Sequence, residues 1–182
     1  MQVDASKTML ADADAITFEP LRQEHLPLLH EWLNRPHMRE YYQKTPISLS
    51  EVEEKFSPRI RGEFPTHDHI AIYSGAPFGK LQCYKNIDHP NYANEINLTE
   101  GLSIDLFIGE PDMMGRGFGR KMLHDYVVRV AFPLYPDESK CFICHELKNI
   151  RARACSVAAG FQPVRQVVEG GTPSELLVFH RM

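Results

Sequence analysis

The sequence predicts a mixed α+β domain, a sheet with helices packed on it, and not an alternating all-parallel βαβ chain. Three observations carry that prediction. The order of hydrophobic patterns runs strand, two helices, three strands, helix, strand, helix, two strands. Segments 69–84 and 161–180 each read as a hairpin around a glycine-containing turn. Between them, residues 102–131 pass from strand alternation through a glycine-dense turn into helical spacing. The chain has 182 residues, 43% hydrophobic and 24% charged, enough for one ample core. A single domain is therefore expected over 16–182. Residues 1–15, rich in Asp and Ala and without periodicity, are expected to form a mobile leader.

The first strand is Ile16–Glu19, closed by Pro20. Leu26, Leu29, Trp32 and Leu33 then mark a helix over 24–34, which Asn34-Arg35-Pro36 stops. Residues 35–49 form a loop carrying the pair Tyr41-Tyr42. Ser50, with Glu53 following, reads as the capping box of a second helix that buries Val52, Phe56 and Ile60. Pro58 should kink or end that helix near Phe56, because it removes a hydrogen bond and clashes with the preceding turn. His69–Tyr73 and Phe78–Tyr84 are hairpin strands, and 88–101 is a loop.

In the strand Leu102–Ile108, Leu102, Ile104, Leu106 and Ile108 share one face, with Ser103, Asp105 and Phe107 on the other. Phe118, Met122, Leu123, Tyr126, Val127, Val130 and Ala131 then form the apolar stripe of a helix laid on a sheet. After a turn over Pro133–Ser139, Lys140–Cys144 is a buried strand. A helix follows over Asn149–Ala159, with Asn149 as N-cap and Gly160 just past its end. Phe161–Glu169 and Glu175–His180 close the chain as an antiparallel hairpin.

Composition excludes several classes. The formal net charge of −4 speaks against a nucleic-acid binder and mildly favours a cationic substrate. No window approaches the roughly 18 consecutive apolar residues of a membrane span. The opening residues carry acids in place of a basic region followed by an apolar run, so a cytoplasmic location is expected. Cys141 and Cys144 have the spacing of half a zinc site or a redox pair. Inside KCFIC, however, that separation puts the thiols on opposite faces of a strand, and they read as small buried side chains with no metal.

The glycine-dense turn is Met114-Gly115-Arg116-Gly117-Phe118-Gly119-Arg120. A loop of small residues ahead of a helix start offers free backbone N–H groups at the positive end of the helix dipole, which is an anion site. Its spacing fails the P-loop pattern, and Gly119 is followed by Arg120-Lys121 without a Ser or Thr for magnesium. A dinucleotide fingerprint should open the first βα unit, whereas this loop follows about a hundred residues of other structure. Arg116 and Arg120 add cationic donors of the kind a pyrophosphate wants.

Between a strand and a helix, this loop resembles the acetyl-CoA loop of the GCN5-related N-acetyltransferases, Q/R-x-x-G-x-G/A, with Met114 at the first position. The resemblance covers nearly the whole chain after the leader. Within that superfamily, Glu31-Trp32-Leu33-Asn34-Arg35-Pro36-His37, the run Ile104–Asp112, and Asn149-x-Arg151-Ala152 with Gly160-Phe161 are similar to the aminoglycoside 6′-N-acetyltransferases. The resemblance implies a mostly antiparallel central sheet with helices on both faces and a V-shaped splay between two parallel strands, here Leu102–Ile108 and Lys140–Cys144. Acetyl-CoA would lie in that splay.

Residue by residue, the resemblance implies cofactor contacts from Phe107, Ile108, the run Met114, Gly115, Arg116, Gly117, Phe118, Gly119 and Arg120, and from Asn149 and Ala152. Asp105 falls at the acceptor amine and is the candidate proton acceptor. Ser156 stands where relatives commonly carry a tyrosine that protonates the leaving thiolate, and a serine lacks the reach and acidity of a phenol. Tyr41, Tyr42 and Glu146 are candidate acceptor contacts, the tyrosines as a flat wall for a sugar or cationic ring.

The implied activity is direct acetyl transfer to a primary amine of a small cationic acceptor, foremost an aminoglycoside 6′-amine, by a monomer or homodimer. A siderophore hydroxylysine-type or polyamine acyltransferase shares much of the pattern. Ser156 motivates a third reading, an acyl-CoA-binding module with little turnover.

Overall fold

Alternating strands and amphipathic helices assemble, in the computed structural model, into one seven-stranded sheet of order β1-β2-β3-β4-β5-β7-β6. The structure describes residues 15–182, so the expected leader lies outside the described residues except for its last position. β1 (Thr17–Pro20), β2 (His67–Tyr73), β3 (Ala76–Lys85) and β4 (Leu102–Ile108) form an antiparallel meander. β5 (Lys140–Glu146) joins β4 in parallel, and β7 (Thr172–His180) and β6 (Gln162–Glu169) complete the sheet antiparallel.

Each face of the sheet carries its own core. α1 (Leu26–Leu33) and α2 (Leu49–Ile60) put Leu29, Trp32, Leu33, Val52 and Phe56 against Ile70 of β2 and Phe107 of β4. On the other face α4 (Phe118–Tyr126) sets Met122, Leu123 and Tyr126 against Leu81, Leu102, Ile104 and Ile143. The alternation expected of β4 is therefore realised, with Leu102 and Ile104 in one core and Phe107 in the other. α4 runs on through a π turn (Val127–Ala131) into a last short turn, α5 (Phe132–Leu134). α6 (Ile150–Ala158) packs beside α4. Cys141 and Cys144 point to different cores, as their spacing in a strand requires.

Four local expectations are corrected. The capping box belongs to Ser48 and Glu51: Ser48 Oγ accepts from the Glu51 N–H at 3.2 Å, and the Ser48 N–H donates to Glu51 at 2.7 Å. Ser48 and Ser50 both satisfy the pattern, but only the earlier start places an apolar residue, Ile47, before the cap and Val52 at the matching inner position, both in one core. α2 also continues through Pro58. The carbonyl partner that proline forfeits belongs to Glu54, an exposed residue, so the lost bond falls on the solvent side of the helix. Within the expected loop 88–101 a short helix, α3 (Pro90–Glu95), starts on a proline suited to a first helical position. Finally, β5 extends past Cys144 to include His145 and Glu146.

The parallel pair β4–β5 is registered only through Leu102 with Cys141 and Ser103 with Phe142. Beyond those residues the strands diverge, and among the described residues the β4 edge facing β5 has no strand partner.

Candidate functional site

The end of β4 is held by a joint between two sequence-distant segments. Trp32 Nε1 donates to Glu110 Oε1 at 2.7 Å, and the Arg35 guanidinium donates to the Gly109 carbonyl and to Glu110 Oε2, both at 2.7 Å. His37 Nε2 lies 2.9 Å from the Ile108 carbonyl, to which it can only donate. Arg35 holds the Glu110 carboxyl below its usual range. Gly109 is required here, since a Cβ would stand inside the Trp32 indole. The segments 31–37 and 104–112 are thus one structural unit, which fixes where β4 ends and where the glycine loop begins.

In that loop Gly115 and Gly117 have φ of 71° and 85°, a region L side chains rarely adopt. Gly117 is the N-cap of α4, whose first turn receives no side-chain cap, so its N–H groups are available to a ligand. A Cβ on Gly117 would meet nothing within 4 Å, whereas one on Gly115 would lie 3.9 Å from the Arg151 guanidinium. Arg151 therefore lies beside the loop that carries Arg116, whose NH1 donates to the Asp112 carbonyl at 3.3 Å, and Arg120. This open cradle of N–H groups and guanidinium ions fits a pyrophosphate, and the unpaired β4 edge fits an extended amide-bearing chain such as pantetheine. Gly119 has a different task from its neighbours: it lies inside α4, and a Cβ there would be 3.1 Å from Cys155 Sγ, so it lets α4 and α6 approach closely. Cys155 is half-buried at that crossing. Asn149 Oδ1 accepts from the Ala152 N–H at 3.2 Å, a true N-cap at the mouth of the splay.

Across the sheet, Asp105 Oδ2 accepts a hydrogen bond from Gln82 Nε2 at 2.8 Å. Gln82 Oε1 in turn accepts from Lys80 Nζ at 2.7 Å and from Arg59 NH1 at 2.9 Å. Lys80 is 1% exposed and forms an ion pair with buried Asp68. Burial raises the Asp105 pKa, with the Gln82 hydrogen bond and the charges of Lys80 and Arg59 opposing that rise. Tyr42 leans on Phe107, ring centroids 4.8 Å apart and edge to face, and its crowded hydroxyl beside Asp105 is held well above its ordinary range. Glu169, at the end of β6, was not anticipated from sequence. Burial and the Asp105 charge both raise its carboxyl, so two carboxylates share this side of the splay.

Residues 35–48 reach across the splay to the end of β5. Tyr41 Oη donates to the Lys148 carbonyl at 3.3 Å, and Lys44 pairs with Glu146. Glu146 thus has its charge already countered by a residue of this loop. Ser156 is 1% exposed, and its hydroxyl lies 2.7 Å from His145 Nε2. Burial, with Arg153 nearby, lowers the His145 pKa to about 4, so the partner of Ser156 is a neutral imidazole. The Ser156 hydroxyl is thus buried and engaged by His145. His145 escaped sequence reading because it lies beyond the expected strand end.

A splayed parallel pair, an open strand edge and a glycine cradle at a helix start, facing a carboxylate across one sheet, define the class of CoA-dependent N-acyltransferases. The chain belongs to the GNAT acetyltransferase domain family, whose model matches residues 22–168. It is an N-acetyltransferase. It is 26% identical over 168 residues, 91% of this chain and 83% of the relative, to the aminoglycoside N(6′)-acetyltransferase type 1 of Klebsiella pneumoniae. The same figures hold for the enzyme of that name from Serratia marcescens. The solved aminoglycoside acetyltransferase AAC(6′)-Ib, in complex with paromomycin and acetyl-CoA, superposes with a TM-score of 0.82 at 25% identity, covering 92% of this chain and 94% of that one. No helix among the described residues is long and apolar enough to cross a membrane.

Proposed function

We propose that this protein transfers the acetyl group of acetyl-CoA directly to a primary amine of a small cationic acceptor, an aminoglycoside 6′-amine before others. The single observation that carries the reading is the strand β4, which bears the Asp105 carboxylate, loses its pairing with β5 after Ser103 and runs on into the uncapped glycine cradle of α4. The likeness to relatives solved in complex with acetyl-CoA or coenzyme A and with aminoglycosides supports the choice of both substrates.

Acetyl-CoA supplies the thioester carbonyl. In our assignment, the N–H groups after Gly117 and the guanidinium groups of Arg116, Arg120 and Arg151 bind its pyrophosphate, while the free edge of β4 at Phe107 and Ile108 and the turn at Asn149 and Ala152 receive the pantetheine arm. Asp105 accepts a proton from the acceptor ammonium, which frees the nitrogen lone pair for attack. Tyr42 offers its ring to the acceptor body, and Glu169 adds a second negative charge for a polycation. Ser156 is not assigned the proton-donor role, because its hydroxyl is buried and engaged by His145.

The test is thiol release from acetyl-CoA with a panel of aminoglycosides, polyamines and hydroxylysine-type amines. Acetylation at the 6′-amine, confirmed by mass, is expected; no acceptor-dependent release across the panel refutes the reading. Asp105→Asn should lower kcat/KM by about 10²- to 10⁴-fold with acetyl-CoA affinity retained.

A further inference from the structure

A lysine that is 1% exposed, on a strand next to the one carrying the candidate base, calls for a reason. Lys80 lies on the sheet face that α2 covers, with Asp68 on β2 and Gln82 on its own strand as partners. The chemistry of those contacts decides the orientation of the Gln82 side chain. Lys80 and Arg59 can only donate, so the amide atom they share must be the oxygen. A flipped amide would set an NH₂ group against two cations and its oxygen against a carboxylate. With the oxygen pinned, the NH₂ group must face β4, where the register places Gln82 directly opposite Asp105. It donates to Oδ2, and among the described residues no other group hydrogen-bonds that carboxylate, which leaves Oδ1 for the acceptor.

We propose that Lys80 is a positioning residue: through the amide of Gln82 it fixes the rotation of the Asp105 carboxylate, so that one oxygen is always presented to the acceptor amine. Arg59, on α2, is the second anchor of the same amide. The proposal rests on the reading of Asp105 as proton acceptor. It goes beyond that reading by assigning work to a side chain that never meets the acceptor.

Lys80 also acts on the charge of Asp105. The groups facing Asp105 are Arg59 and Lys55 on α2, Asp68 on β2, Lys80 on β3 and Glu169 on β6, with the neutral hydroxyls of Tyr42, Tyr84 and Tyr92 and the Cys144 thiol. Lys80 and Arg59 lower the Asp105 pKa, while Asp68 and Glu169 act in the opposite direction. Removing Lys80 therefore raises it.

The experiment compares Lys80→Met, Gln82→Leu and the double variant, using full pH profiles of kcat/KM and a carbon-detected NMR titration of the Asp105 carboxyl. Lys80→Met should move the acid limb and the NMR midpoint upward by about one pH unit, the low end of what an opposite charge within a few ångströms contributes. It should leave the KM for acetyl-CoA unchanged. Gln82→Leu keeps the Lys80–Asp68 pair intact, so it remains informative if Lys80→Met leaves Asp68 stranded and fails to fold. Its kcat/KM should fall about tenfold or more, with the circular dichroism spectrum unchanged. On the pH plateau, where Asp105 is fully ionised and the direct charge effect of Lys80 drops out, the double variant should match Gln82→Leu within about twofold, since residues acting through one contact are not additive. Multiplying losses, or a Lys80→Met profile and midpoint identical to wild type, would overturn the proposal. Failure of the underlying reading looks different: the wild type would transfer no acetyl group, while the NMR midpoint would still report whether Lys80 governs Asp105.

Discussion

Asp105 stands where burial disfavours its charge and two cations favour it. Because the balance lies on the raised side, its base form is lost as pH falls through that raised value, and kcat/KM should climb with pH over that limb and lose the climb in Asp105→Asn. Ser156 is a second residue whose surroundings decide its role. Restoring a phenol by Ser156→Tyr would drive the ring into His145, 2.7 Å from the present hydroxyl. We expect a loss of about 1–3 kcal/mol in chemical denaturation and no gain in rate, with His145→Ala in the same chain recovering most of the stability. Asp105 and the loop glycines were legible in the sequence because each belongs to a local motif. Lys80, Gln82, Asp68 and Arg59 were not. They come from two strands and a helix, and Lys80 and Gln82, two positions apart in β3, read there as an ordinary solvent-facing alternation.

At the scale of elements, most boundaries followed from periodicity, and the misses share one cause: local signals that admit two answers. Ser48 and Ser50 each precede a glutamate at the capping distance, and only packing of Ile47 and Val52 in a common core chooses between them. Ser48→Ala should therefore cost about 1 kcal/mol in thermal or urea unfolding, and Ser50→Ala close to nothing. α3 was hidden because a proline and asparagines signal a loop as readily as a helix start. The glycine cradle makes a sharper prediction. Gly117→Ala has room for its methyl group but not the backbone region, a strain of about 1–2 kcal/mol, so acetyl-CoA affinity by calorimetry should drop roughly tenfold. Gly109→Ala fails for the opposite reason, since its backbone is ordinary and its methyl would collide with Trp32.

For the whole molecule, two neutral imidazoles set the response to acid. Burial lowers His69, which lies 2.8 Å from the Tyr126 hydroxyl, to about 4, as it does His145. A group depressed on folding contributes stability that is present above its unfolded pKa, near 6.5, and is lost as pH falls toward 4. For His69 alone that is about 3 kcal/mol between those limits, so unfolding free energy should decline steadily from pH 6.5 to 4, less so in His69→Gln. Asp105, raised on folding, works in the contrary sense and softens the decline.

The two halves of the sheet, β1 to β4 and β5 to β6, are registered to each other through just two residue pairs, Leu102 with Cys141 and Ser103 with Phe142. With acetyl-CoA seated as we propose, the open wedge is a reserve of cohesion for the ligand to supply. At a hundred times its dissociation constant, a molecule seated between the halves adds about 2.7 kcal/mol to unfolding. The melting temperature is therefore a direct gauge of occupancy, and coenzymes of graded acyl length can be ranked by heating the protein before any acceptor is known.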